Sequence, residues 1–257
     1  REQDVETWYP NYRMLIDMML NLLENLESRK LNEIQQTWFE KTKPVEELYD
    51  TQTDPHEVNT LITDPEYTEV LARLRNAHAE QMISIKDVGL IPEPMIFKLQ
   101  DSLKMPVYSI VRKYNYPMEE IRKVAIEWTA EKPDTEELGK NLEHAHPAIR
   151  YWAAIGLGNL GNTEYKPEIA ERLEDDFPSV RIAAAFALHQ MGETRKAVER
   201  LTEELNNEEL TARILAAFQL ARIGPSAKPA TAELKKLLEG QSYEEQAAEN
   251  ALRAIGN

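Results

Sequence analysis

Four glycines, Gly161, Gly192, Gly224 and Gly256, recur every 31 or 32 residues in the second half of the chain. Each closes a segment of one design: Pro147–Gly161 (PAIRYWAAIGLGNLG), Pro178–Gly192 (PSVRIAAAFALHQMG), Glu209–Gly224 (ELTARILAAFQLARIG) and Tyr243–Gly256 (YEEQAAENALRAIG). A proline suits the first turn of a helix, where no amide hydrogen bond is lost, and a glycine suits a left-handed C-cap. Between these signals lie Ala153, Ala154, Ala183 to Ala185, Ala216 and Ala217, small enough to let neighbouring helices approach closely. A more polar helix is expected after each of the first three units, at Lys166–Leu173, Arg195–Leu205 and Pro229–Leu238. One such pair cannot bury its apolar face alone, so successive pairs must stack. A degenerate first unit holds Ile121, Val124, Ala125 and Trp128.

This array, from about Tyr116 to Asn257, resembles the HEAT-like repeats also found in phycobilin lyases. Such arrays mostly bind other molecules, so the resemblance speaks to architecture. Arg150, Arg181 and Arg213 occupy equivalent repeat positions. They can form a ladder that grips an acidic ligand, or each can pair with an acid or carbonyl of an adjacent helix; charges at the repeat period favour the second reading. His144 and His146 do not share a helix face, and no Glu or Cys completes a metal set around them. Asp175-Asp176, just before Pro178, reads as a helix cap.

The first hundred residues have a different texture. Asn11–Arg29 reads as an amphipathic helix with Met14, Leu15, Met18, Met19, Leu22, Leu23 and Leu26 on one face, a core or domain-interface stripe. A short helix holding Ile34, Trp38 and Phe39 follows, then a strand over Glu46–Asp50. Asp54 and Pro55 open an ordered turn, and Asp64-Pro65 starts a helix that turns Val70, Leu71, Leu74 and Met82 inward.

The run Lys43-Pro44-Val45-Glu46-Glu47-Leu48-Tyr49-Asp50, with Asp54-Pro55-His56-Glu57-Val58-Asn59 and Asp64-Pro65-Glu66-Tyr67, resembles the C-terminal end of type I sulfatases. Within that family it resembles bacterial proteins similar to heparan N-sulfatase (N-sulfoglucosamine sulfohydrolase). It spans about Trp8 to Glu93, with Lys30-Leu31-Asn32, Trp38-Phe39 and Gly89-Leu90-Ile91-Pro92-Glu93 in the same order. Some members of that family are similar in carrying a HEAT-like extension. The resemblance implies a catalytic α/β domain before Arg1, holding calcium and a formylglycine made within a Cys/Ser-x-Pro-x-Arg motif. It also implies a periplasmic or extracellular location and sulfate esters or N-sulfated sugars as substrates. In such a tail His56 and Tyr49 lie where a substrate could be reached, although a plain turn accounts for both.

No Cys/Ser-x-Pro-x-Arg motif is present; there is no cysteine and no serine begins one. The reading is therefore a mainly α chain, an α-solenoid of HEAT-like pairs at 117–257 joined by a linker at 96–116 to a small α+β sulfatase-like subdomain at 1–95. It assigns the chain no catalytic residue, no metal ligand and no cofactor of its own. The expected partners are the upstream catalytic domain and a protein bound to the repeats. The alternative is a stand-alone interaction scaffold without enzyme activity. The formal charge of −15 repels nucleic acid at long range. The longest apolar stretch, Met14 to Leu23, is interrupted by Asp17 and Asn21 and is too short to span a bilayer.

Overall fold

The structure is a computed structural model that describes residues 3–4, 21–22, 24–26, 28–40, 42–114, 116–240 and 242–256. The expected methionine-rich face at Met14, Leu15, Met18, Met19 and Leu23, and the start of the tail-like segment at Trp8, lie outside the described residues. Two compact units divide the chain, Arg1–Ser84 and Ile85–Asn257.

In the first unit, β1 (Gln3–Asp4) pairs antiparallel with β2 (Thr42–Lys43) for two residues. Helix α1 (Glu33–Gln36) starts with a capping box: Asn32 accepts the Gln35 amide at 2.9 Å, and the Gln35 side chain accepts the Asn32 amide at 3.0 Å. A 3-10 turn, Thr37–Phe39, continues it. The strand expected over Glu46–Asp50 is not formed. That stretch instead meets the loop at Thr60 and Leu61, where the Leu61 amide donates to the Leu48 carbonyl at 2.7 Å and Thr60 Oγ1 accepts the Leu48 amide at 3.2 Å. Residues 51–64 fold back as turns, so a second extended segment is missing from the local ladder.

Asp64 caps as expected, accepting the Glu66 amide at 2.9 Å, with Pro65 opening a 3-10 turn that leads into α2 (Thr68–Ile85). The inward face expected of this helix does not reach a core. Val70, Leu71 and Met82 are half-buried and Leu74 is 46% exposed.

The second unit is the repeat array. It begins with α3 (Glu93–Leu103) and α4 (Val107–Lys113), which pack against each other. The stretch 96–116, expected as a linker, is thus mostly helical and joined to the array. Its buried Ile110 and Val111, with Ile91 and Met95 just before, explain why: they carry too much apolar surface to stay in solvent. Trp152 ties this entry segment down by donating its indole N–H to the Leu90 carbonyl at 2.7 Å.

Helix pairs follow in order. They are α5 (Met118–Glu127) with α6 (Thr135–Asn141), and α7 (Pro147–Leu160) with α8 (Lys166–Glu171). After them come α9 (Pro178–Gln190) with α10 (Thr194–Glu204), α11 (Leu210–Ile223) with α12 (Thr231–Leu237), and α13 (Ser242–Ile255). The fold is an α-solenoid. Its four closing glycines all take positive φ, from 62° to 92°, which a Cβ would strain.

Helix α9 shows how the stack is built. Val180, Ala183, Ala184, Ala187 and Leu188 join the core shared with α5 and α7. Ile182, Ala185 and Phe186 join the core shared with α10, α11 and α13. Both faces are buried, so its sequence is apolar all round rather than amphipathic. Contact with α7 is close: a Cβ built on Gly158 would stand 2.7 Å from Ala187 Cβ and 2.8 Å from its Cα.

Candidate functional site

The three repeat-related arginines stand one turn into their helices, four positions after the cap. Arg150 forks onto Asp175, Nε to Oδ2 at 2.7 Å and Nη2 to Oδ1 at 2.8 Å. Its Nη1 donates back to the His144 and Ala145 carbonyls, at 2.8 and 3.1 Å. Arg181 forks onto Glu204 at 2.5 and 2.9 Å and donates to the Asp175 carbonyl at 2.7 Å. Arg213 donates Nε to Glu244 and Nη1 to the carbonyls of Asn207 and Glu208, at 2.7 and 3.1 Å. The geometry repeats: each guanidinium holds the loop entering its own helix and a carboxylate supplied from further along the array.

These units connect. Asp175 accepts from Arg150 through its side chain and from Arg181 through its carbonyl. Glu204 accepts from Arg181 and from Asn207 Nδ2, at 2.9 Å, and the Asn207 carbonyl accepts from Arg213. The result is a polar spine from Arg150 to Glu244. Asp175, Glu204 and Glu244 have side chains only 3–5% exposed, and the arginines 12–21%. Planar guanidinium groups matched to buried carboxylates are strong and geometrically specific. Little of that charge is left for an acidic ligand. The hydrogen bond to Glu204 holds Arg181 above the ordinary arginine value.

Asp175 also accepts the Phe177 amide at 3.0 Å, which fixes the turn that leads into α9; the helix-capping role expected of Asp175-Asp176 is not taken up, since the N-cap is Phe177 and no side chain caps it. His146 is the cap of α7: its Nδ1 accepts the Ala148 amide at 3.2 Å, and the Tyr116 ring packs edge-on at 4.7 Å. His144 Nδ1 accepts the His146 amide at 3.0 Å, so both histidines serve backbone hydrogen bonds. Burial first, and then the charges of His144 and Arg150, lower the His146 pKa to about 4. Among the described residues no group of three or more His, Asp or Glu side chains could hold a metal ion. None of their helices is long and apolar enough to cross a membrane.

In the first unit Asp54 organises its turn, accepting the Val58 and Asn59 amides at 2.9 and 2.7 Å, with Glu57 in the left-handed region at φ 53°. Pro55 and His56 are exposed on that turn. Tyr49 lies beside it: burial raises its phenol pKa, and the carboxylates of Glu47, Glu57 and Asp54 add to the shift. Asp50 accepts the Gln52 amide at 3.0 Å. Arg75 of α2 clamps the strand-like run by pairing with Glu46, Nε to Oε2 at 2.8 Å, which lowers the Glu46 pKa. The Tyr49–His56 region and the arginine spine belong to different units.

The carboxylate partners Glu204 and Glu244, and the bridging Asn207, were hidden in the sequence. The acids stand 25, 23 and 31 residues beyond their arginines, so no fixed spacing marks them.

Residues 135–220 match the family model of HEAT repeats. A stretch of 83 residues is 40% identical to a protein described as an ulvan-active sulfatase from Formosa agariphila; it makes up 32% of this chain and 14% of that protein. The chain therefore spans a small fraction of the length of the curated relative it matches. A crystal structure of an engineered protein aligns with TM-score 0.42 and 20% identity, covering 76% of this chain and 93% of that one.

Proposed function

We propose that this chain is the C-terminal part of a sulfatase-like hydrolase of sulfate esters or N-sulfated sugars, with the repeats as an accessory interaction module. The observation that carries the reading is the 40% identity over 83 residues to an ulvan-active sulfatase. That stretch is close in length to the tail-like segment from Trp8 to Glu93. The turn held by Asp54, with His56 exposed and Tyr49 beside it, lies within that segment and would border the substrate entrance of an upstream catalytic domain. The calcium and formylglycine of such chemistry belong to that domain, and the hydrolase acts in the periplasm or outside the cell.

The repeats suit protein contact. The repeat-position arginines Arg150, Arg181 and Arg213 are consumed by the internal spine, and the outer surface of a chain carrying −15 favours a basic partner. The test is to purify the protein with whatever precedes Arg1 in its reading frame and to assay sulfate release from aryl and aminosugar sulfates with calcium. Release is expected. Failure with every sulfated substrate leaves the scaffold reading, in which the repeats act without an enzyme.

A further inference from the structure

The hairpin formed by α3 and α4 departs from the rest of the chain in charge and in surface. From Glu93 to Lys113 stand four cations, Lys98, Lys104, Arg112 and Lys113, against the two acids Glu93 and Asp101. That local +2 sits in a chain of −15, so the remainder carries −17. Large rings are also exposed here: Phe97 at 49%, Tyr108 at 65% and Tyr114 at 50%. Ile110 and Val111 face the core, which leaves Tyr108, Arg112 and Lys113 on the outer side of α4.

The rings are held in place. The Arg112 guanidinium lies 3.6 Å from the centroid of Tyr108 and is anchored by the carbonyls of Tyr108 and Ile85, at 3.2 and 2.8 Å. One face of Tyr108 is thus backed by a cation, and the exposed remainder forms a flat, preorganised platform. Lys113 Nζ lies 5.3 Å from the Tyr114 ring.

We propose that the outer face of the α3–α4 hairpin is a non-catalytic docking surface for a sulfated polysaccharide. An aromatic platform stacks against the C–H faces of sugar rings, and adjacent ammonium groups pair with sulfate. A polyanion is repelled by the rest of this acidic chain, so the basic island is where it can settle. The proposal rests on the sulfatase reading for its ligand class. It assigns the hairpin the task of keeping a polymeric substrate near the hydrolase, which raises its effective concentration.

The test uses the 257-residue chain in native gels containing dextran sulfate, unmodified dextran or polyglutamate, at low ionic strength. Dextran sulfate should retard the protein, and the two controls should not. The double variant Tyr108→Ala/Lys113→Glu should bind about tenfold more weakly with an unchanged thermal midpoint, since both side chains are exposed. Tyr243→Ala, at an exposed ring on α13, should bind like the parent. Absence of retardation, equal retardation by polyglutamate, or an unaffected double variant overturns the proposal. So does a concentration-dependent dimer, seen by light scattering, that Tyr108→Ala abolishes; that result gives the face to a second copy. Binding to dextran sulfate is measured on this chain alone, so it stands or falls separately from sulfate release by the longer protein.

Discussion

Removing Arg181 should cost the repeat array more than removing any surface ion pair. The side chain is 18% exposed and grips both oxygens of Glu204, which is itself 3% exposed. Replacing Arg181 with Met keeps the aliphatic stem and leaves a buried carboxylate. Its remaining partners are Asn207 Nδ2 at 2.9 Å and the Arg200 guanidinium at 4.0 Å. Breaking a buried pair on one side costs about 3–5 kcal/mol, and the two residual partners place this case near 3. The Asp175 carbonyl also loses its donor, which works in the same direction. For an array of this size, about 3 kcal/mol lowers the melting temperature by roughly 6–12 °C. Urea titration of the full chain by far-UV circular dichroism measures the loss. Arg195→Ala, which removes a fully exposed i,i+4 pair, should leave the urea midpoint essentially where it is in the parent. The double variant Arg181→Met/Glu204→Met should recover much of the loss, because no unpaired charge remains. A single variant within about 0.5 kcal/mol of the parent, or a double variant as unstable as the sum of its singles, would refute the view that this spine holds the repeats together.

Three further outcomes follow from the packing. Gly158→Ala places a methyl 2.8 Å from the backbone of Ala187, so α7 and α9 must separate, at about 1–3 kcal/mol in the same titration. Ser179→Ala should be neutral or slightly stabilising, because the Ser179 Oγ is fully buried without a hydrogen-bond partner. His146 has a folded-state pKa of about 4 against 6.5 when unfolded, so its contribution is complete above 6.5 and is lost as pH falls from 6.5 towards 4. Since the side chain is not fully buried, the loss is about 1–2 kcal/mol. His146→Asn keeps a capping side chain and should flatten that part of the stability–pH curve relative to the parent.

The repeat architecture was legible because its signals are local. Pro147 and Pro178 open helices, the four glycines close them at positive φ, and the alanines of α9 mark a helix buried on both faces. The spine was only half legible. Its arginines keep the repeat position, whereas Asp175, Glu204 and Glu244 come from a loop, a helix end and a helix start, whose offsets differ. The α3–α4 hairpin was missed because Met105-Pro106 reads as an interruption, while burial of Met95, Ile110 and Val111 is decided by tertiary contact. In the first unit three acids in five residues give Glu46–Asp50 little strand preference of its own and it finds no ladder partner, while Leu74 of α2 stays 46% exposed. The Asp54 turn and the Asp64 cap were legible because a side-chain acceptor and a proline act within a few residues of themselves.

The most direct measurement for the proposed function is to read the coding sequence upstream of Arg1 in the source DNA. The expected result is an open frame of several hundred codons containing Cys/Ser-x-Pro-x-Arg and paired aspartates for calcium. A start codon immediately before Arg1 would contradict the sulfatase reading and leave a helical-repeat scaffold.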